Sequence, residues 1–258
     1  MLHYQKIGTG KPIVLVHGFP NDGTTWDPLR PLRKKNHQYL IPDLPGAGKS
    51  AFVENLSLEK MAQGLLEILD KEKIDQALFV GHSMGGYTVM EAATLFPERI
   101  KAISLVHSLA SADSEEKVEA RRKSIRLLQN GDKGKEVFLE AMAANLFGEE
   151  FANEHPEAVA EIVKNGQKLT TEALTEFYTA IMNRSSKVDW LKQNNSIPMQ
   201  WIIGDEDKAT PMKEALEQCY LSKWNDVQVY RGVGHMSMME VPVRLAQSLN
   251  TFIDYIWK

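Results

Sequence analysis

Four short apolar runs, at residues 13–16, 39–41, 77–80 and 100–106, constrain the fold most. The first three end in His17-Gly18, Pro42-Asp43 and Gly81. Continuous apolar runs of this length suit strands buried on both faces of a parallel sheet. Helical periodicity fills the gaps between them. Residues 58–69 place Met61, Leu65, Leu66 and Leu69 three and four apart, and residues 87–96 form a second segment stopped by Pro97. Strands alternating with helices predict an α/β fold, a doubly wound and mostly parallel sheet.

The alternation then lapses. From 111 to 195 four amphipathic helical segments follow one another, at 113–128, 137–147, 156–163 and 171–182, with no strand among them. Asp113 and Glu116 open the first at capping-box spacing. Strand signals return at 199–203 and 227–230, with helices at 211–221 and at 242–257, the last opened by a proline. The expectation is an α/β core built from residues 1–110 and 196–258, interrupted by an all-helical insertion at 111–195.

Composition removes several functions. The 258 residues carry a net charge of −4, which argues against a nucleic-acid partner. No stretch approaches the ~18 apolar residues that span a bilayer, and the polar first ten residues offer no signal-peptide core. The one cysteine, Cys219, cannot form an internal disulfide. A cytoplasmic protein acting on a small molecule is expected.

Chemistry concentrates at the ends of the strand runs. Gly81-His82-Ser83-Met84-Gly85 is a G-x-S-x-G pattern between a strand and a helix. A sharp turn there projects the serine hydroxyl, and side chains two residues to either side would collide, so both flanks are glycine. A serine nucleophile needs a general base. Of seven histidines, four follow strands: His17, His82, His107 and His235. His235, on the loop Gly232-Val233-Gly234, is the expected base. His82 neighbours Ser83 on a strand, points to the opposite face, and reads as packing. His107 reads as a strand-end residue in preference to a substrate contact. No histidine pair has compact ligand spacing, so neither a metal nor another cofactor is expected. Asp207, three residues after Gly204, is the expected partner of the base, with Asp205 and Glu206 as competitors.

Together these features resemble the α/β-hydrolase superfamily, whose chain order is that of Ser83, Asp207 and His235. His17-Gly18-Phe19-Pro20 resembles the family's His-Gly loop, and Asp43-Leu44-Pro45-Gly46-Ala47-Gly48-Lys49-Ser50 its D-x-P-G-x-G-x-S loop. Relatives with aspartate at the elbow, the epoxide hydrolases and haloalkane dehalogenases, are set apart by Ser83. The resemblance implies an oxyanion hole from the backbone N–H groups of Phe19 and Met84, and a helical cap at 111–195. It implies hydrolysis of a small or medium apolar carboxylic ester through an acyl-enzyme, with Met236, Phe147, Met142 and Tyr178 in the pocket wall. Carbon–carbon bond hydrolysis, perhydrolysis, and small-molecule reception with signalling through a partner protein are the alternatives.

Overall fold

In a computed structural model that describes residues 1–32 and 34–258, seven strands form one sheet. The strands are β1 (Tyr4–Gly8), β2 (Lys11–Val16), β3 (His37–Pro42), β4 (Ala77–His82), β5 (Ile100–Val106), β6 (Met199–Gly204) and β7 (Asn225–Tyr230). They lie in the order β1-β3-β2-β4-β5-β6-β7. All pairings are parallel except that of β1 with β3. The edge strand β1 has no apolar run, and its mixed burial explains why the sequence concealed it.

Period-two alternation splits the core into two layers. Val14, Val16, Phe79, Ile103 and Trp201 face one side, where α1 (Leu58–Glu72) and α2 (Met84–Leu95) pack. Ile13, Leu15, Leu78, Val80 and Ile202 face the other, beneath α11 (Pro242–Ile256) and a 3-10 segment carrying Trp26. Helix α1 starts at Ser57, whose side chain accepts from the Lys60 N–H, and stops at Lys73 in the left-handed region. Its buried stripe of Met61, Leu65, Leu66 and Leu69 holds it to the sheet, each such side chain contributing roughly 1.5–3 kcal/mol.

Between β5 and β6 lie α3 (Glu115–Leu128), α4 (Gly131–Ala143), α5 (Glu149–Glu154), α6 (Pro156–Lys168), α7 (Thr171–Met182) and α8 (Val188–Gln193). Helices α5 and α8, six residues each, are too short to display a periodic stripe and escaped sequence reading. The cap of α3 differs from expectation. Ser114, not Asp113, accepts from the Lys117 N–H, and Asp113 is drawn instead into ion pairs with Arg121 and Arg184. Two further helices complete the fold, α9 (Met212–Leu216) and α10 (Ser237–Glu240). The helix expected over 211–221 ends early, at Leu216. Among the described residues no helix is long and apolar enough to cross a membrane.

Candidate active site

Four parallel strands deliver their C-terminal ends to one crevice, the usual ligand position in an open α/β sheet. Ser83 follows β4, His107 follows β5, and the loops after β6 and β7 carry Asp207 and His235.

Ser83 caps α2 with φ 51° and ψ −115°. A non-glycine residue held there costs about 1–3 kcal/mol, and the surroundings enforce it. A Cβ on Gly81 would stand 2.5 Å from the Gly85 carbonyl oxygen, one on Gly85 2.3 Å from that of Val16, and one on Gly86 2.4 Å from Ser108 Oγ. The turn therefore closes only with glycine at these positions. The Ser83 carbonyl accepts from the Gly86 and Tyr87 N–H groups and from Ser108 Oγ. Ser83 itself stays half-buried. Met84 is the first residue of α2, where a helix leaves N–H groups unused.

Asp207 is the hub. Its Oδ1 accepts from the Ala209 and Thr210 N–H groups, each at 2.8 Å. Its Oδ2 accepts from Thr210 Oγ1 at 2.6 Å, His235 Nδ1 at 2.8 Å and His107 Nδ1 at 3.1 Å. Burial alone would push this carboxyl up. The His235 ring and the hydrogen bonds from His107 and His235 outweigh it and hold the carboxyl well below the usual range. Donation through Nδ1 leaves His235 Nε2 as the nitrogen that can receive a proton. The competing acids are engaged elsewhere. Asp205 Oδ1 accepts from the Gly232 N–H, and Glu206 Oε2 from that of Glu149.

Sequence reading missed two residues. His107 was set aside as a strand-end residue, yet it is buried against Asp207. Nothing in its neighbourhood of the chain signals a partner a hundred positions away. Glu240 is the second. Its carboxylate accepts from the N–H groups of Gly148, Gly234 and Met236, the last two flanking His235. The His235 N–H donates to the Leu146 carbonyl at 2.7 Å. The histidine loop is thus pinned to the segment between α4 and α5.

His82 lies beneath the turn, as expected. Its Nε2 donates to the His235 carbonyl at 2.9 Å, and burial pushes its ring well below the usual histidine range, aided by the His235 and His107 rings. His17 is similarly lowered by burial. Its Nε2 accepts the Leu44 N–H at 2.9 Å, joining the His-Gly loop to the loop after β3. Both rings take up protons less readily than the histidines of the unfolded chain, which titrate near 6.5. Stability should therefore fall as pH drops below about 6.5, by up to roughly 1.4 kcal/mol per pH unit for each ring. Urea midpoints measured between pH 7.5 and 5.5 test this, and a flat profile would refute it.

The loop after β2 brings its main chain against the serine. A Cβ on Gly18 would stand 3.0 Å from the Ser83 Cβ. Phe19, next in line, turns its ring towards the inserted helices, 4.8 Å from Tyr178 and 6.1 Å from Phe138 between centroids. Met142 and Tyr178 line a cavity of about 380 Å³ with Ser124, Phe138, Lys208 and Ala209. Phe147 and Met236, expected in the same wall, are absent from that lining and are buried. Phe147 stacks on Phe151 at 5.4 Å. A larger hollow of about 560 Å³, lined by Trp224, Asn225 and Tyr255, sits at the opposite, N-terminal ends of β6 and β7 and touches none of these groups.

His107, Asp207 and His235 also place ligand-type atoms within 4.8 Å of one another. Their Nδ1–Oδ2 separations of 2.8 and 3.1 Å are those of hydrogen-bonded pairs.

The model of the alpha/beta hydrolase family matches residues 13–248. Over 257 residues, 98% of each chain, the sequence is 27% identical to the pimeloyl-(acyl-carrier protein) methyl ester esterase of Photobacterium profundum. A thermophilic esterase from Thermogutta terrifontis, solved with malate bound, superposes with a TM-score of 0.92 at 26% identity, over 99% of this chain and 93% of its own. The enol-lactonase of Burkholderia xenovorans shares the fold, with a TM-score of 0.88 at 22% identity, over 98% and 96% of the two chains.

Proposed function

The chain belongs to the alpha/beta hydrolase family, and from that premise we propose that it hydrolyses small or medium carboxylic esters through an acyl-enzyme on Ser83. The observation that carries this reading is a strained serine elbow at the C-terminal end of β4 together with the Asp207–His235 pair, 2.8 Å apart, on the loops after β6 and β7 of the same sheet. Esterases among the chain's full-length relatives support it.

In this mechanism the Ser83 hydroxyl attacks the ester carbonyl carbon while His235 Nε2 takes its proton. Asp207 fixes the Nδ1–H tautomer and stabilises the imidazolium. The carbonyl oxygen becomes an oxyanion held by the Phe19 and Met84 N–H groups, and loss of one such donor costs about 3 kcal/mol of transition-state stabilisation. The imidazolium returns its proton to the departing alcohol. Water, deprotonated by His235, then attacks the acyl-serine and releases the acid.

Residues 111–195 act as a cap over the crevice, with Phe19 and the Leu146–His235 hydrogen bond as its seams to the core. A reducing, cytoplasmic setting suits a chain whose lone cysteine is buried and free. A panel of nitrophenyl esters of graded acyl length tests the function. Short and medium acyl groups should turn over with a burst of nitrophenol, and mass spectrometry should locate the trapped acyl group on Ser83. Turnover without any acylated serine would overturn the reading.

A further inference from the structure

The inserted helices hold a charge imbalance beside the crevice. The Asp113 side chain is 2% exposed and pairs with two guanidiniums, Arg121 through Nε at 2.5 Å and Arg184 at 2.8 Å. The Arg184 side chain is 4% exposed, stacks over Tyr87 at 4.2 Å, and donates to the Ser111 and Ile181 carbonyls. Each of its three nitrogens thus has a partner. Arg121 is 22% exposed and lies 5.0 Å from the Tyr178 ring centroid. Among the described residues it meets no second carboxylate within 4.0 Å. Two cations thus share one anion, leaving one net positive charge in a largely dehydrated place, where unbalanced charge is costly.

The position of that charge gives it a use. Arg121 and Ser124 are three apart on α3 and share a face, and Ser124 lines the 380 Å³ cavity. Tyr178, beneath Arg121, lines it too and touches Phe19. The cavity's other wall is Lys208-Ala209, beside Asp207. Lys208, an exposed residue, is the sole charged residue in the lining, which holds no carboxylate. We propose that this cavity is an anionic subsite, in which Lys208 in its lining and Arg121, just outside it behind Tyr178, receive a carboxylate at the far end of the ester substrate while its apolar middle lies on Phe138, Met142 and Leu146. The inference rests on the esterase reading and narrows it to esters bearing a negative charge.

The test compares monomethyl esters of dicarboxylic acids of graded length, and acetates of ω-hydroxy acids, with their uncharged methyl esters. For at least one length in either series, kcat/KM of the wild type should favour the charged ester about 10- to 100-fold, the range for a charge-assisted hydrogen bond. Arg121→Met should lower that ratio about tenfold or more, and Lys208→Met should lower it by a smaller factor. The ratio is insensitive to the fraction of protein folded, so loss of stability cannot imitate the effect. Should Arg121→Met not fold, the wild-type ratio and Lys208→Met decide. Equal or better cleavage of the uncharged partner throughout both series would overturn the anionic subsite while leaving the esterase intact. Failure to cleave either class would instead overturn the esterase reading.

Discussion

Replacing Ser83 with alanine should lower kcat on a good ester substrate by about 10⁴-fold or more, to the residue left by binding and the oxyanion donors. The fold should survive. Alanine removes one hydroxyl from a half-buried position, and the elbow is closed by glycine contacts and by the Ser83 carbonyl, none of which uses that hydroxyl. The strain at φ 51° is unchanged, because alanine carries the same Cβ. A melting temperature within a few degrees of wild type, together with a collapsed kcat and an unaltered affinity for substrate, is the expected pattern. Retained turnover would move the nucleophile elsewhere and remove the acyl-enzyme from the mechanism.

The residues that carry this result were legible because they are local. A glycine that admits a turn, an apolar run before it and a helix after it all fall within a dozen positions, and each constraint is steric. The strands β2 through β6 were visible for the same reason, since burial on both faces writes itself into consecutive residues, while β7, at the sheet edge and half-exposed, showed through its alternating valines. What escaped depends on contacts between distant positions. His107 reaches Asp207 across a hundred residues, and Glu240 gathers three N–H groups from two loops. Neither leaves a pattern in its own surroundings. Asp113 shows how a local rule can mislead. Its spacing to Glu116 imitates a capping box, but Ser114 caps the helix, and two arginines claim the carboxylate with a stronger interaction than a cap provides. Met236 is expected in the pocket wall from its place beside His235, and Phe147 from its place on the insertion. Neither ground says which way a side chain turns, and both side chains are buried.

Asp207→Asn should bring a loss in kcat of about 10⁴-fold, again without unfolding the protein. The number of donors around this carboxylate explains the size. Five hydrogen bonds converge on it, two on Oδ1 and three on Oδ2. An asparagine offers one oxygen and one NH₂ group. The two backbone donors on Oδ1 select the oxygen for that side, so the NH₂ group is turned to face His235, His107 and Thr210. Facing a donor, His235 is stabilised in the tautomer with its proton on Nε2, which can no longer accept one from Ser83. The imidazolium also loses its counter-charge. His107 meets the same NH₂ group, so the buried cluster loses favourable contacts as well as charge, and a fall of several degrees in melting temperature should accompany the kinetic loss. Asp205→Asn and Glu206→Gln are the controls, since their carboxylates bind backbone N–H groups away from the imidazole. Both should stay within a few-fold of wild type. A large kinetic loss in either of them, with Asp207→Asn near wild type, would transfer the orienting role to that neighbour and leave Asp207 as a structural anchor for the loop after β6.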